Sequence, residues 1–336
     1  NRNLIINGAM QVAQRGTSFS GITGGSAKYT LDRYFADIAT SSSVAFTVAQ
    51  SSDAPQGFNS SLGVTLTTSG ATGAGDYAYL RQNIEGYNFA HLNFGTANAQ
   101  TFTLSFWVKS SLTGTFGGYL GAAANARFQT FSYTVSAANT WEYKTVTVSG
   151  DTAGTWDAIN GVGLQVAWSL SCGTTYLGAT GAWGASLLLG ATGQTNLTET
   201  TGATFQITGV QLEVGDTATP FEHRSYGDEL AKCQRYYLEA RKGSYPEAYH
   251  YYARANTAVV GNIPFPVTMR ATPSVTLNSN GVDNRAVRVD TAALVTFSPV
   301  QSWWTKDAVA GLYDDVNTPF VSGESYGIGI KADAEL

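Results

Sequence analysis

Charge is scarce in this chain. Of its 336 residues only 13% are Asp, Glu, Lys or Arg, three are histidine and two are cysteine. A net charge of -5 argues against nucleic acid or an anionic membrane as a partner, since either would favour a basic face. Cys172 and Cys233 are too few for a disulfide framework and stand at no zinc-ligand spacing, and His91, His223 and His250 form no His-x-x-x-His pair. No cofactor and no metal is expected. No run approaches the roughly 20 apolar residues that a membrane-spanning helix needs. Asn1-Arg2-Asn3 opens no signal-peptide stretch, and a reduced cytoplasm, bacterial or other, fits these features.

Catalytic patterns are missing as well. There is no Gly-x-Ser-x-Gly, no phosphate-binding loop and no Cys/His arrangement. Glycoside hydrolysis wants two carboxyl groups at about 5–10 Å, and the sparse acids Asp76, Glu85, Asp151 and Asp157 read as turn residues. The chain is not expected to be an enzyme.

What is abundant is Gly, Ser and Thr, together with aromatics at 12%. That is the profile of a β-rich protein with many tight turns. Apolar residues recur at every second position in Val44/Phe46/Val48, Leu62/Val64/Leu66, Ala78/Leu80/Ile84, Phe102/Leu104/Phe106/Val108, Val146/Val148 and Leu164/Val166/Trp168/Leu170. This is the signature of half-buried strands, and no helical period competes before residue 220. Trp168 shares the parity of Leu164 and Val166 and is expected in the core.

Residues 1–220 hold 8 Lys/Arg and 11 Asp/Glu, against 11 and 13 in the much shorter remainder. The break at Thr219-Pro220 predicts a domain boundary, because proline also disfavours continuing a strand. A helix is expected over Ser225–Leu238 within a 221–240 linker. Ser225 would cap it, Asp228 would complete a capping box, and Leu230, Cys233 and Tyr237 would form one stripe. Residues 241–336 return to short β-like runs: 258–260, 274–277, 287–289, 294–297 and 326–330. The expected fold is all-β, with an N-terminal jelly-roll β-sandwich, a short linking helix and a smaller C-terminal β-sandwich domain.

Five segments in order carry a resemblance: Asn3-Leu4-Ile5-Ile6-Asn7-Gly8, Asp32-Arg33-Tyr34-Phe35, Leu104-Ser105-Phe106-Trp107-Val108-Lys109, Trp141-Glu142-Tyr143-Lys144-Thr145-Val146 and Val210-Gln211-Leu212-Glu213. Over residues 1–220 the chain resembles family 4/9 type carbohydrate-binding modules. The resemblance implies a jelly roll whose first and last strands are the first and fifth segments. The family's acidic calcium positions are not matched, since Ala9-Met10-Gln11 follows Gly8 and Thr208-Gly209 precedes Val210. The block from Leu212-Glu213-Val214-Gly215 through Pro220-Phe221-Glu222-His223-Arg224-Ser225-Tyr226 to Cys233-Gln234-Arg235-Tyr236-Tyr237 resembles bacteriophage tail-fibre and virion attachment proteins.

If the apolar parity marks the core, the opposite parity presents Tyr77, Tyr79 and Arg81, then Trp107 and Lys109, then Trp141 and Tyr143 outward. These seven are the candidate glycan-binding residues, because exposed aromatic patches usually mark a contact. Cover by the long Gly-rich loops, or by a neighbouring subunit, is the alternative. Trp303-Trp304 and the run Tyr245, Tyr249, Tyr251, Tyr252 read either as a platform or as an interface. The resemblances imply a virion fibre or spike protein that binds bacterial surface polysaccharide, works beside other virion proteins, forms a homotrimer and inserts in no membrane. The rival expectations are a structural virion decoration without a ligand and a polysaccharide depolymerase.

Overall fold

The structure is a computed structural model that describes residues 2–122, 126–240, 249–256, 258–279, 282–296, 301–313 and 320–336. The chain divides into two compact units, residues 1–229 with Leu336, and residues 230–335.

The first unit is built from β1 (Ser18–Thr23), β2 (Ser26–Tyr29), β3 (Phe35–Ala39), β4 (Ala45–Ser51), β5 (Ser61–Thr68), β6 (Tyr77–Glu85), β7 (Phe102–Ser110), β8 (Gly114–Ala122), β9 (Arg127–Val135), β10 (Glu142–Val148), β11 (Val162–Cys172), β12 (Leu177–Gly178), β13 (Gly190–Ala191) and β14 (Thr204–Val214). They form two six-stranded antiparallel sheets, ordered β1-β4-β5-β14-β7-β10 and β2-β3-β6-β11-β8-β9. The short pair β12–β13 stands apart. Every alternating run in the sequence delivers its apolar set to one shared core, where Phe46, Val64, Leu80, Phe106, Val166 and Trp168 are buried. This is a jelly-roll β-sandwich, and the pleat alone accounts for the sorting.

The opening segment departs from expectation. Residues 2–8 run beside β14 without forming a strand, and the Asn3 side chain replaces the missing ladder. Its Oδ1 accepts from the N–H groups of Ile5 and Leu212 at 2.9 and 3.0 Å, and its Nδ2 donates to Val210 O at 3.0 Å. Gly8 O in turn accepts from Val210 N–H at 2.9 Å. Asn7, at φ 59°, turns the chain away from an extended path. The conformation suits Asn, one of the few residues that tolerate it.

The helix is also shorter than its pattern suggests. Ser225 Oγ accepts from Asp228 N–H at 3.2 Å and donates to the Asp228 carboxylate at 2.7 Å, so Ser225 caps the helix, while the carboxylate takes the Ser225 hydroxyl rather than the backbone N–H that a capping box uses. The helix covers Tyr226–Gln234 and stops there. Tyr237 belongs instead to strand Tyr237–Ala240, paired with the long strand Ser325–Asp333. Pairing with a waiting strand outweighs weak helical propensity in Tyr-Tyr-Leu. Of the expected stripe, Cys233 and Tyr237 are buried and Leu230 is half-buried.

The second unit is β throughout its described remainder. Strand Ser325–Asp333 pairs over its first half with Tyr249–Ala255 and Arg285–Arg288, and over its second half with Tyr237–Ala240 and Ser274–Ser279. Strand Ala258–Pro264 continues from Tyr249–Ala255. Tyr251, Val259, Leu277, Tyr326, Ile328 and Ile330 form its core. Of the Tyr-rich run, Tyr251 is buried and Tyr252 exposed. Tyr245 and the side chains of Tyr249, Trp303 and Trp304 lie outside the described residues. Both cysteines are buried, and burial pushes the Cys172 thiol up to about 12.

Candidate binding face

The seven outward residues do not share one face. β6 belongs to the second sheet, whereas β7 and β10 belong to the first. Since both sheets turn their inner sides to the same core, Tyr77, Tyr79 and Arg81 lie on one side of the sandwich, and Trp107, Lys109, Trp141 and Tyr143 on the other.

The Tyr79 side is covered. Tyr79 is buried in a second cluster with Tyr119, Phe128 and Leu189, and Tyr77, Tyr176 and Leu188 pack against it. The covering residues come from the Gly-rich stretch after β11, which is the loop cover the sequence left open. Tyr79 donates to Asp37 Oδ2 at 2.6 Å. Burial raises its phenol far above the ordinary value, and it stays protonated. Arg81 lies against the faces of Phe35 and Tyr79, 4.9 and 5.5 Å from their centroids. Tyr79 is therefore part of a buried cluster, with Tyr77 and Arg81 half-buried beside it.

On the first sheet the register makes rows across β14, β7 and β10. Thr208, Trp107 and Tyr143 form one row. Gln206 and Lys109 form the next, roughly 7 Å further along. Trp107 and Tyr143 are neighbours, with centroids 5.4 Å apart and planes inclined at 52°, and Tyr143 is 44% exposed. They form the floor of a cleft of about 430 Å³ whose walls include Phe58, Phe221 and His223. Phe58 meets Phe221 edge-on at 5.0 Å and His223 at 5.4 Å.

A β-bulge makes this cleft possible. The register of β14 against β7 slips between Thr208 and Gln211, with Gly209 at φ 61°. A Cβ on Gly209 would stand 2.6 Å from the Phe58 ring and 3.0 Å from the Trp107 ring. Glycine is thus required twice, for its left-handed backbone and for the two rings that close over it. The slip also turns Gln211 and Glu213 to the same outer face as Trp107.

Beside the aromatic cleft lies a polar one of about 580 Å³, lined by Asp53, Lys109, Asn139, Thr204 and Gln206 among others. Asp53 accepts from Lys109 Nζ at 2.7 Å and from Trp141 Nε1 at 3.1 Å. The bond from Lys109 is the main reason its carboxyl lies below the ordinary value. Trp141 and Lys109 are held together by this one carboxylate. Trp107 and Tyr143 therefore line the aromatic cleft and Lys109 the polar one, and Trp141 joins the latter through Asp53.

Sequence reasoning missed Phe58, Gly209, Phe221 and His223. Phe221 and His223 stand two apart with Glu222 and Arg224 between and after them, an alternation that could have marked a two-faced extended segment. Phe58 sits in a loop and gives no such sign.

The candidate catalytic acids are engaged in structural bonds. Asp76 accepts from Ser41 N–H, Ser41 Oγ and Gly73 N–H. Arg127 holds both oxygens of Asp151 at 2.6 and 2.7 Å. Asp157 accepts from Ile159 N–H at 2.8 Å, and Glu85 is buried. Among the described residues no three His, Cys, Asp or Glu side chains converge as metal ligands.

No protein-family model matches the chain, and no curated protein matches it. Among solved structures the chain is similar to the enzymatically active domain of tailspike protein 4 of bacteriophage CBA120, at 14% identity and TM-score 0.33 over 63% of this chain and 21% of that one. It is also similar to TmCBM61 in complex with beta-1,4-galactotriose, at 10% identity and TM-score 0.32 over 64% of this chain and 100% of the other. A third is a family 11 carbohydrate-binding module from Clostridium thermocellum in complex with a beta-1,3-1,4-mixed-linked tetrasaccharide, at 11% identity and TM-score 0.29 over 61% and 98%. The match spans about a fifth of the tailspike chain.

Proposed function

We propose that the first unit binds a carbohydrate chain on the outer face of its first sheet, and that the protein is a virion fibre or spike component binding bacterial surface polysaccharide. One observation carries the binding reading. Trp107 and Tyr143 form an open aromatic wedge beside a cleft of hydroxyl and amide groups. Sugar rings stack their C–H faces on aromatic planes while amides and hydroxyls bond their OH groups, and a concave, mostly apolar site with a few polar groups is the usual form of a ligand pocket. The attachment reading draws on the motif block through Tyr237. It entails partnership with other virion proteins, a place on the virion surface after assembly in the host cytoplasm, and a homotrimer.

This reading assigns no bond cleavage to the protein, and it is supported by the turn and ion-pair bonds that hold Asp76, Asp151 and Asp157. A second reading, a structural decoration without a ligand, is favoured by one observation: the Tyr77/Tyr79 face shows that this fold also uses outward aromatics for internal packing. An array of bacterial capsular and O-antigen polysaccharides, probed with the wild-type chain and with Trp107→Ala, separates the two. Signal in the first that is lost in the second supports binding; no signal in either supports decoration. Light scattering tests the assembly, with a mass near three times 35.5 kDa expected and a stable monomer contradicting it.

A further inference from the structure

The segment after β14 turns back over the outer face of the first sheet as a strap with two sides. Thr103 Oγ1 donates to Gly215 O at 2.9 Å and Thr147 Oγ1 to Asp216 O at 3.1 Å, so the strap crosses β7 and β10 at that row. Further on, Phe221 and His223 face the aromatic cleft. Glu222 and Arg224 face the opening segment instead. Glu222 accepts from the N–H groups of Asn3 and Arg2 at 2.7 and 3.3 Å, and Arg224 donates to the carbonyls of Ile5 and Asn3. Extended backbone sends alternate side chains to opposite sides, and here the two sides have different tasks.

Beneath the strap lie two buried polar side chains. Gln211 and Glu213 are 0% and 1% exposed, on the outer face of β14 just past the Gly209 bulge. The Glu213 carboxylate accepts from Thr219 N–H at 2.8 Å, Thr219 Oγ1 at 2.6 Å and Gln211 Nε2 at 2.8 Å, with Arg2 Nε at 3.4 Å. Gln211 Oε1 accepts from Glu222 N–H at 2.8 Å, and its amide donates to Thr219 O at 3.2 Å. These bonds grip the backbone on either side of Phe221. A buried carboxylate is costly unless donors surround it, and charge-assisted bonds to backbone N–H groups are both strong and directional. Apolar packing could bury the same area, but it would not fix the register of the strap.

We propose that Glu213 and Gln211 are positioning residues of the binding cleft, setting the strap so that Phe221 and His223 complete the wall opposite Trp107 and Tyr143. This rests on the carbohydrate-binding reading of that cleft. Neither residue touches a bound sugar; both act through the strap.

The test is a double-mutant cycle in the full chain, read by calorimetry with the polysaccharide that gives the strongest array signal. Glu213→Gln keeps the shape but presents an amide N–H₂ to the Thr219 donors. It is expected to weaken binding by about tenfold, the effect of one unmet polar contact, and Phe221→Ala by a similar factor. The double variant is expected to bind no worse than the weaker single variant, because both changes act on the same wall. Hydrogen exchange adds a readout independent of ligand: the amides of residues 215–223 should lose protection in Glu213→Gln, while those of β7 keep it. Wild-type affinity in Glu213→Gln, or losses that add in the double variant, would overturn the proposal and leave a Trp107-dependent site intact. If Glu213→Gln fails to fold, Gln211→Leu replaces it in the same cycle with the same criteria. A wild-type chain that binds no polysaccharide, or whose binding survives Trp107→Ala, defeats the reading and the proposal together.

Discussion

Trp107 and Tyr143 face each other across paired strands, their ring centroids 5.4 Å apart and their planes inclined at 52°. The pairing of β7 with β10 fixes this, since the two residues are direct partners in the ladder. Cross-strand aromatic pairs stabilise a sheet by a few tenths to about 1 kcal/mol, so the wedge is built into the scaffold before any ligand arrives. Removing one ring should therefore weaken binding while leaving the sheet folded. Trp107→Ala is expected to lower polysaccharide affinity at least about tenfold, or ~1.4 kcal/mol, with the far-ultraviolet circular dichroism unchanged. Retained affinity in a folded variant would remove the stacking role.

Gly209→Ala addresses the bulge beneath the same rings. The added methyl would enter a left-handed position at φ 61° and press on Phe58 and Trp107. A loss of about 1–2 kcal/mol from the backbone alone is expected, measured by urea unfolding, together with weaker binding. A variant as stable as wild type would mean that the bulge relaxes without effort.

Tyr79→Phe separates the covered face from the open one. It deletes the phenol that donates to Asp37 at 2.6 Å and leaves the ring in its cluster. Stability should fall by about 1 kcal/mol while polysaccharide binding stays at the wild-type level. Loss of binding would show that the covered face takes part after all.

Acid should loosen the strap. Burial opposes ionisation of Glu222, but the N–H groups of Asn3 and Arg2 and the Arg224 guanidinium outweigh it and hold the carboxyl below its ordinary value of 4.5. Asp53, held mainly by Lys109, likewise lies below 3.8. Groups depressed in the folded state contribute stability that is complete above the ordinary value and lost as the pH falls through the lower, folded one. Melting temperature is expected to drop as the pH goes below about 4.5, and Glu222→Gln should make that drop shallower. An identical pH profile for the variant would exclude Glu222 as a contributor.

Purified protein incubated with host capsule should release no reducing ends. Asp76, Asp151 and Asp157 are each held by turn N–H groups or by Arg127, which leaves none of them poised as an acid beside a second carboxylate. Steady appearance of reducing ends would reverse this and call for substitution of each acid in turn.

The sequence by itself determined which side of each strand enters the core. Alternation at Phe102/Leu104/Phe106/Val108 or Leu164/Val166/Trp168/Leu170 is a local consequence of the pleat, and it holds wherever the strand goes. The Ser225–Asp228 cap was legible for the same reason, since donor and acceptor lie three residues apart. Alternation also marked Trp107 and Tyr143 as outward, but it could not say which outward face stays open. Tyr79 carries the same local signal as Trp107, yet Leu188 and Leu189, more than a hundred residues further on, cover it. Phe58 and Phe221 reach the cleft from distant loops, and the opening segment lies along β14 without joining its ladder as a strand. These outcomes depend on contacts between residues far apart in the chain, where packing and buried hydrogen bonds decide and no local period exists to read. Tertiary structure alone decided that one aromatic face became core and the other became a cleft.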